Sequence, residues 1–147
     1  MHLRLLCLAC AGLLALNSSV AATVSEDDVA ARLQAATQAH EQGRLKVARK
    51  AFESMARDGV PAAQYNLAVM HLRGEVPHPS KQEALRLMND AAEHGFVSAM
   101  FELGRLHEPH SIVDAPDPAL ATQWYLRAAE AGSTDAQVAI GTAYYLG

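Results

Sequence analysis

Residues 63–71 read AQYNLAVMH, residues 99–107 read AMFELGRLH, and the pattern returns from Ala136 to Tyr144 as AQVAIGTAY. Measured from Gly59, Gly95 and Gly132, which stand 36 and then 37 residues apart, the same residue types fall at the same offsets. Four places on are Ala63, Ala99 and Ala136; eight on are Leu67, Leu103 and Ile140; nine on are Ala68, Gly104 and Gly141. Upstream the match continues through Ala48, Ala84 and Ala121, and through Ala56, Ala92 and Ala129. A fixed period of this length marks a solenoid of helix pairs, because one pair cannot bury its apolar side alone and stacks on its neighbours. Small residues beside Leu or Ile let those helices lie close, and a mid-helix glycine costs about 1 kcal/mol against alanine, which close approach offsets.

The segments between these blocks carry the start and stop signals of helices. Ser25 with Asp28 is an N-cap, and Val29, Ala30, Leu33 and Ala36 set a helical apolar period for a first helix running to about Gln42. A second helix spans about Arg44 to Asp58, with Leu45, Ala48, Ala51, Phe52, Met55 and Ala56 on one stripe. Pro61 suits a first helical position, and Ser80 with Glu83 forms the S-x-x-E box of a later helix. Asp117 takes the place of Ser80 one repeat on, followed by Pro118. Two different N-cap residues at one repeat position serve one need, since each oxygen accepts from an otherwise unpaired backbone N–H.

Ala63-x-x-x-Leu67-Ala68-x-x-His71 and Ala99-x-x-x-Leu103-Gly104-x-x-His107 resemble the first helix of Sel-one-like repeats. Ala84-x-x-Leu87 with Ala91-Ala92-Glu93-x-Gly95, and Ala121-x-x-Trp124 with Ala128-Ala129-Glu130-x-Gly132, resemble the second. The stretch from about Glu26 to Gly59 is more similar to a tetratricopeptide unit, with its shorter inter-helix loop at Gly43-Arg44. Histidine stands at 71 and 107 where the family has tyrosine, and Leu87 stands where it has tryptophan. The resemblance implies an all-α, right-handed α/α superhelix of about seven helices, divided into a helix pair at 26–59, repeats at 60–95 and 96–132, and a half repeat at 133–147. It also implies that the first helices line a concave surface used for protein–protein contact, often in bacterial periplasmic or secreted proteins.

Residues 1–22 read as a secretory signal peptide: Arg4, the apolar run Leu5 to Leu16, then Ser19, Ala21 and Ala22. Cleavage after Ala21 and cleavage after Ala22 satisfy the small-residue requirement equally well. The apolar run is too short for a hydrocarbon core of roughly 30 Å. Both cysteines, Cys7 and Cys10, lie inside this segment, so the mature chain is expected to carry no disulfide and no thiol chemistry. Setting Arg4 aside from the 12 basic residues leaves 11 against 16 acidic ones, a formal charge near −5. That balance, without a basic stripe, disfavours nucleic acid, and no later apolar run is long enough to enter a membrane.

Chemistry-bearing constellations are sparse. His71, His107 and His110 could be drawn around a metal, and Ser111 with His107, His110 and Asp114 as a hydrolytic set, yet no spacing aligns either group. Neither catalytic, metal nor cofactor-binding residues are expected. His71 and His107 read as stand-ins for the repeat tyrosine, with one ring nitrogen paired, and Trp124 as core. A binding strip is better supported: Tyr65, Val69 and Leu72, then Phe101, Arg105 and Glu108, then Val138, Thr142 and Tyr145 project beside the packed Leu-Ala/Gly pairs. Aromatic and arginine side chains are the usual anchors of interfaces.

The expected function is therefore a secreted or periplasmic interaction module that binds a peptide or protein on its concave face. A hydrolase acting on cell-wall or antibiotic-like substrates and a structural adaptor within a longer protein stand as alternatives. From Ala136 to Gly147 no residue is charged, whereas terminal solenoid helices present a polar face. That edge, with Ile140, Ala143 and Tyr144, is expected to be partly uncovered, so that the chain is either a fragment or docks there on another protein, a second copy of itself included.

Overall fold

The computed structural model describes residues 25–112 and 114–146. The stretch 1–22 read as a signal peptide, with both cysteines, lies outside the described residues. Seven helices and no strand fill what is described: α1 (Glu26–Glu41), α2 (Leu45–Arg57), α3 (Pro61–Leu72), α4 (Lys81–Glu93), α5 (Val97–Leu106), α6 (Pro118–Glu130) and α7 (Thr134–Leu146). Each packs chiefly on the helix before it and the helix after it, the order a solenoid requires.

Helix ends follow from local chemistry. The Ser25 hydroxyl accepts from Asp28 N–H, Ser80 accepts from Glu83 N–H, and Asp117 accepts from the N–H groups of Ala119 and Leu120. The Ser80 box closes differently from expectation. Glu83 turns its carboxylate to Arg86, and Ser80 N–H is taken by Nδ1 of His71 at 3.2 Å. Five helices stop at a glycine with φ between +72° and +96°, where a side chain would be strained. Beyond each, one N–H reaches back to the last turn: Arg44 to Ala39, Val60 to Met55, Glu75 to Met70, Phe96 to Ala91 and Ser133 to Ala128. His110 adopts the same left-handed backbone, φ 69°, at the repeat place of Gly74.

The core is a ladder of alanines with larger side chains between the rungs. Ala48, Ala63, Ala68, Ala84, Ala91, Ala99 and Ala128 are fully buried, as are Phe52, Met55, Met70, Met88 and Leu103. Each of those larger side chains contributes about 1.5–3 kcal/mol by leaving water. In α1 the buried stripe lies further along than expected, on Ala36 and Ala39 with Leu33 partly covered, while Ala30 is exposed. Among the described residues α1 packs chiefly on α2, and the covered residues lie on that side.

Polar clasps reinforce the stack. His40 Nε2 meets Glu75 Oε2 at 2.7 Å, joining α1 to the loop after α3. Arg127 reaches back from α6 to Glu93 on α4 at 2.9 Å while lying 4.3 Å above the Trp124 ring. Lys81 Nζ donates to Ile112 O at 3.0 Å, tying the loop after α5 to the start of α4.

Candidate functional site

Alternate helices α3, α5 and α7, with Glu108 in the loop just past α5, carry the residues expected to bind, and their surroundings differ by position. On α3, Tyr65 is half-buried, its ring tilted against Phe96 at 5.2 Å between centroids, and Val69 and Leu72 pack partly against the core. On α5, Phe101 is partly buried and tilts against Tyr125 at 5.6 Å. Arg105 is exposed and donates to both carboxylate oxygens of Glu102, one turn back, at 3.1 and 3.2 Å. On α7, Thr142 returns its hydroxyl to Val138 O, while Val138 and Tyr145 are 63% and 90% exposed.

Two adjacent depressions run along these helices and share one residue. The first, about 360 Å³, is lined by Leu72, Glu102, Arg105, Glu108 and Ile112 among others. The second, about 490 Å³ and shallower, is lined by Phe101, Arg105, Asp135, Val138 and Ala139. Arg105 belongs to both walls. The structure thus gathers Leu72, Arg105 and Glu108 in one place and Phe101, Arg105 and Val138 in the next. Tyr65 and Val69 sit against the core side, and Thr142 and Tyr145 line neither depression.

Glu102, Asp135 and Ile112 join the site without having been singled out from sequence. Glu102 and Asp135 fall at unremarkable repeat positions, and Ile112 arrives by way of a loop. Of the three acidic residues, only Glu102 is matched by Arg105, so Glu108 and Asp135 leave the strip acidic.

Beneath the strip lies a lock between α5 and α6. The Tyr125 hydroxyl donates to Glu108 Oε1 at 2.5 Å, and its ring rests on Gly104, where a Cβ would stand 2.5 Å from Cε1. Burial, and then the bond to Glu108, push the phenol well above its usual range. Burial also raises Tyr65, helped by the Glu102 charge. On the opposite side, the hydrogen bond and charge of Arg86 hold the Glu83 carboxyl below the usual carboxylate range.

The two repeat histidines part company. His71 pairs Nδ1 with Ser80 N–H, whereas Nδ1 of His107 is buried without a hydrogen-bond partner. Ser111 donates to Leu106 O at 2.5 Å and serves the end of α5. Among the described residues no group of three or more His, Cys, Asp or Glu is placed to hold a metal ion, and no helix is long and apolar enough to cross a membrane.

Residues 61–96 and 97–133 each match the Sel1 repeat. The chain is a Sel1-like repeat protein. A Sel1 repeat protein from Oxalobacter formigenes has a similar structure, with a TM-score of 0.71 and 29% identity over 83% of this chain and 52% of that one. The antigen c5321 of uropathogenic Escherichia coli, which displays an SLR fold, aligns with a TM-score of 0.61 and 26% identity over 67% of this chain and 21% of its own. This Sel1 chain spans about half and about a fifth of the lengths of those two proteins. No curated protein matches the sequence. Sel1 repeats are generally protein–protein interaction modules and generally non-enzymatic scaffolds.

Proposed function

We propose that this Sel1-like protein is a secreted or periplasmic interaction module without catalytic activity, which receives a segment of a partner protein along α3, α5 and α7. The observation that carries the reading is Arg105, exposed between two depressions whose other walls are Leu72 on one side and Phe101 and Val138 on the other. A rigid stack holds these anchors at fixed spacing, so the ordering cost of binding falls mainly on the partner. The carboxylates of Glu108, already accepting from the Tyr125 hydroxyl, and of Asp135 have no basic side chain paired to them among the described residues, which favours a partner segment that carries lysine or arginine beside its apolar residues.

The test uses the secreted form, recovered from periplasm or medium and sequenced at its N-terminus. Partner capture with wild-type protein is compared with capture by R105A/Y145A. The double variant is expected to lose the partner while its helicity and melting temperature hold, because both side chains are exposed. Retained capture would reject the strip, a collapse in melting temperature would reassign the residues to folding, and protein found only in the cytoplasm would reject secretion.

A further inference from the structure

The two full repeats differ at three places that meet around one side chain. Where the first has Ala68, Leu72 and Met88, the second has Gly104, Glu108 and Tyr125. In the first repeat Ala68 and Met88 are fully buried and Leu72 packs partly against the core. In the second, the Tyr125 ring takes the space that glycine leaves at 104, and its hydroxyl reaches Glu108 Oε1 at 2.5 Å. Taken singly the exchanges are unfavourable, since a glycine inside a helix costs about 1 kcal/mol against alanine and a phenol carried into the core needs a partner. Together they produce something that packing does not require: a carboxylate held in one place at the surface. Departures of this kind from the local rule gather at functional sites.

Glu108 is exposed, yet its position is fixed from several sides. Its N–H donates to Arg105 O at 3.3 Å, its carbonyl accepts from Ser111 N–H at 3.2 Å, and Tyr125 holds Oε1. Among the described residues Oε2 accepts no hydrogen bond, and the Arg105 guanidinium turns to Glu102 instead. Glu108 lines the cavity of about 360 Å³ together with Leu72, Leu106, Ile112 and the Glu102–Arg105 pair. A volume at the small end of ligand-sized clefts, which run from roughly 300 to 1,000 Å³, suits one long side chain. With His110 counted as neutral, two carboxylates against one guanidinium leave a single negative charge, so one cation balances it. A guanidinium fits better than an ammonium. Its fork donates to Oε2 and to the remaining lone pair of Oε1 together, and it is more weakly hydrated beside leucine and isoleucine.

We propose that Glu108, held by Tyr125, selects an arginine of the partner segment, whose guanidinium meets the carboxylate in this cavity while its stem lies along Leu72 and Ile112. The assignment, which rests on the reading of α3, α5 and α7 as a partner-binding strip, makes Glu108 its specificity-determining residue. Tyr125 acts through Glu108 and is a positioning residue.

The probe is an N-acetylated, C-amidated peptide of sequence Leu-Ala-Arg-Ala-Leu, with versions carrying lysine or citrulline in place of arginine. Citrulline keeps the shape of arginine without its charge. Each peptide is titrated into the isotope-labelled secreted chain and followed by amide chemical shifts. Wild type is expected to bind the arginine peptide about tenfold more tightly than the citrulline version and about threefold more tightly than the lysine version. E108Q still offers an acceptor to the Tyr125 hydroxyl, and is expected to bind the arginine peptide about tenfold more weakly, with no preference over citrulline. In Y125F the carboxylate stays charged but loses its holder, so the arginine-over-lysine ratio is expected to fall to about one. General damage to the fold weakens all three peptides alike and leaves that ratio unmoved. G104A/E108L/Y125M carries the residues of the first repeat and is expected to fold, as its circular dichroism checks, and to bind the three peptides equally. The proposal is overturned by an arginine peptide that shifts no amide of wild type at about 10 mM or binds no better than its citrulline version, by a preference that survives in E108Q, or by a full arginine-over-lysine ratio in Y125F. Partner capture separates the two readings. A partner held alike by wild type and E108Q but lost by R105A/Y145A overturns this proposal and leaves the strip standing, whereas arginine selection through Glu108 in a chain that captures no partner upholds it and overturns the strip alone.

Discussion

Replacing Gly104 by alanine sets a methyl group 2.5, 2.6 and 2.9 Å from three atoms of the Tyr125 ring. The ring has nowhere cheap to go. It is 8% exposed, tilted against Phe101, and fastened at its far end by the hydroxyl bond to Glu108. Overpacking of this kind costs about 1–3 kcal/mol. Swinging the ring aside gives up a hydrogen bond to a charged acceptor, about 1.5–3 kcal/mol. Alanine's better helix propensity returns about 1 kcal/mol. The protein takes the cheaper of the two routes, so the net expectation is a loss of about 1–2 kcal/mol, a fall in melting temperature of about 5 °C for a chain of this length. The same substitution at Gly141, in the same repeat position, meets open space and is expected to stabilise by up to about 1 kcal/mol. Thermal and urea unfolding followed by circular dichroism on G104A, G141A, Y125A and G104A/Y125A reads both signs. In the double variant the clash is gone, so the two single losses do not add, and the coupling exceeds about 1 kcal/mol. A G104A protein that melts at or above the wild-type temperature would refute the reasoning that Tyr125 and Gly104 form one fitted unit.

Alkaline titration gives a second prediction. The neutral Tyr125 phenol is favoured in the folded state, so its contribution to stability is whole below the unfolded tyrosine pKa of about 10 and is lost as pH rises through the higher folded value. Absorbance at 295 nm is expected to show a tyrosine fraction that ionises late, and Y125F to remove part of it and the accompanying loss of stability; simple titration of all tyrosines near pH 10 would contradict the Glu108 lock. The histidines supply a third. H71F leaves Ser80 N–H without its acceptor and is expected to destabilise by about 1 kcal/mol, whereas H107F removes a buried nitrogen that has no partner and is expected to be neutral or stabilising. Chemical denaturation of the two variants checks the contrast, and equal losses would deny it.

The first helices of the repeats, the caps at Ser25, Ser80 and Asp117, and the glycine stops were legible in the amino-acid sequence because each rests on bonds made within a few residues of the signal that announces it. The alanine ladder was legible for a related reason: a period that returns three times reports a packing rule without specifying any one contact. Tertiary structure alone decided the pairings across the stack. Nothing local joins Ser80 to His71, Tyr125 to Glu108, or Tyr125's ring to Gly104, since in each case two helices or a helix and a loop must first come together. It likewise set Arg105 between two depressions and brought Ile112 to one of them from a loop. Gly104 and Gly141 are the sharpest case: one residue type at one repeat position, crowded in the first and open in the second, because sequence records which side chain is present and only the neighbouring helix determines what it touches.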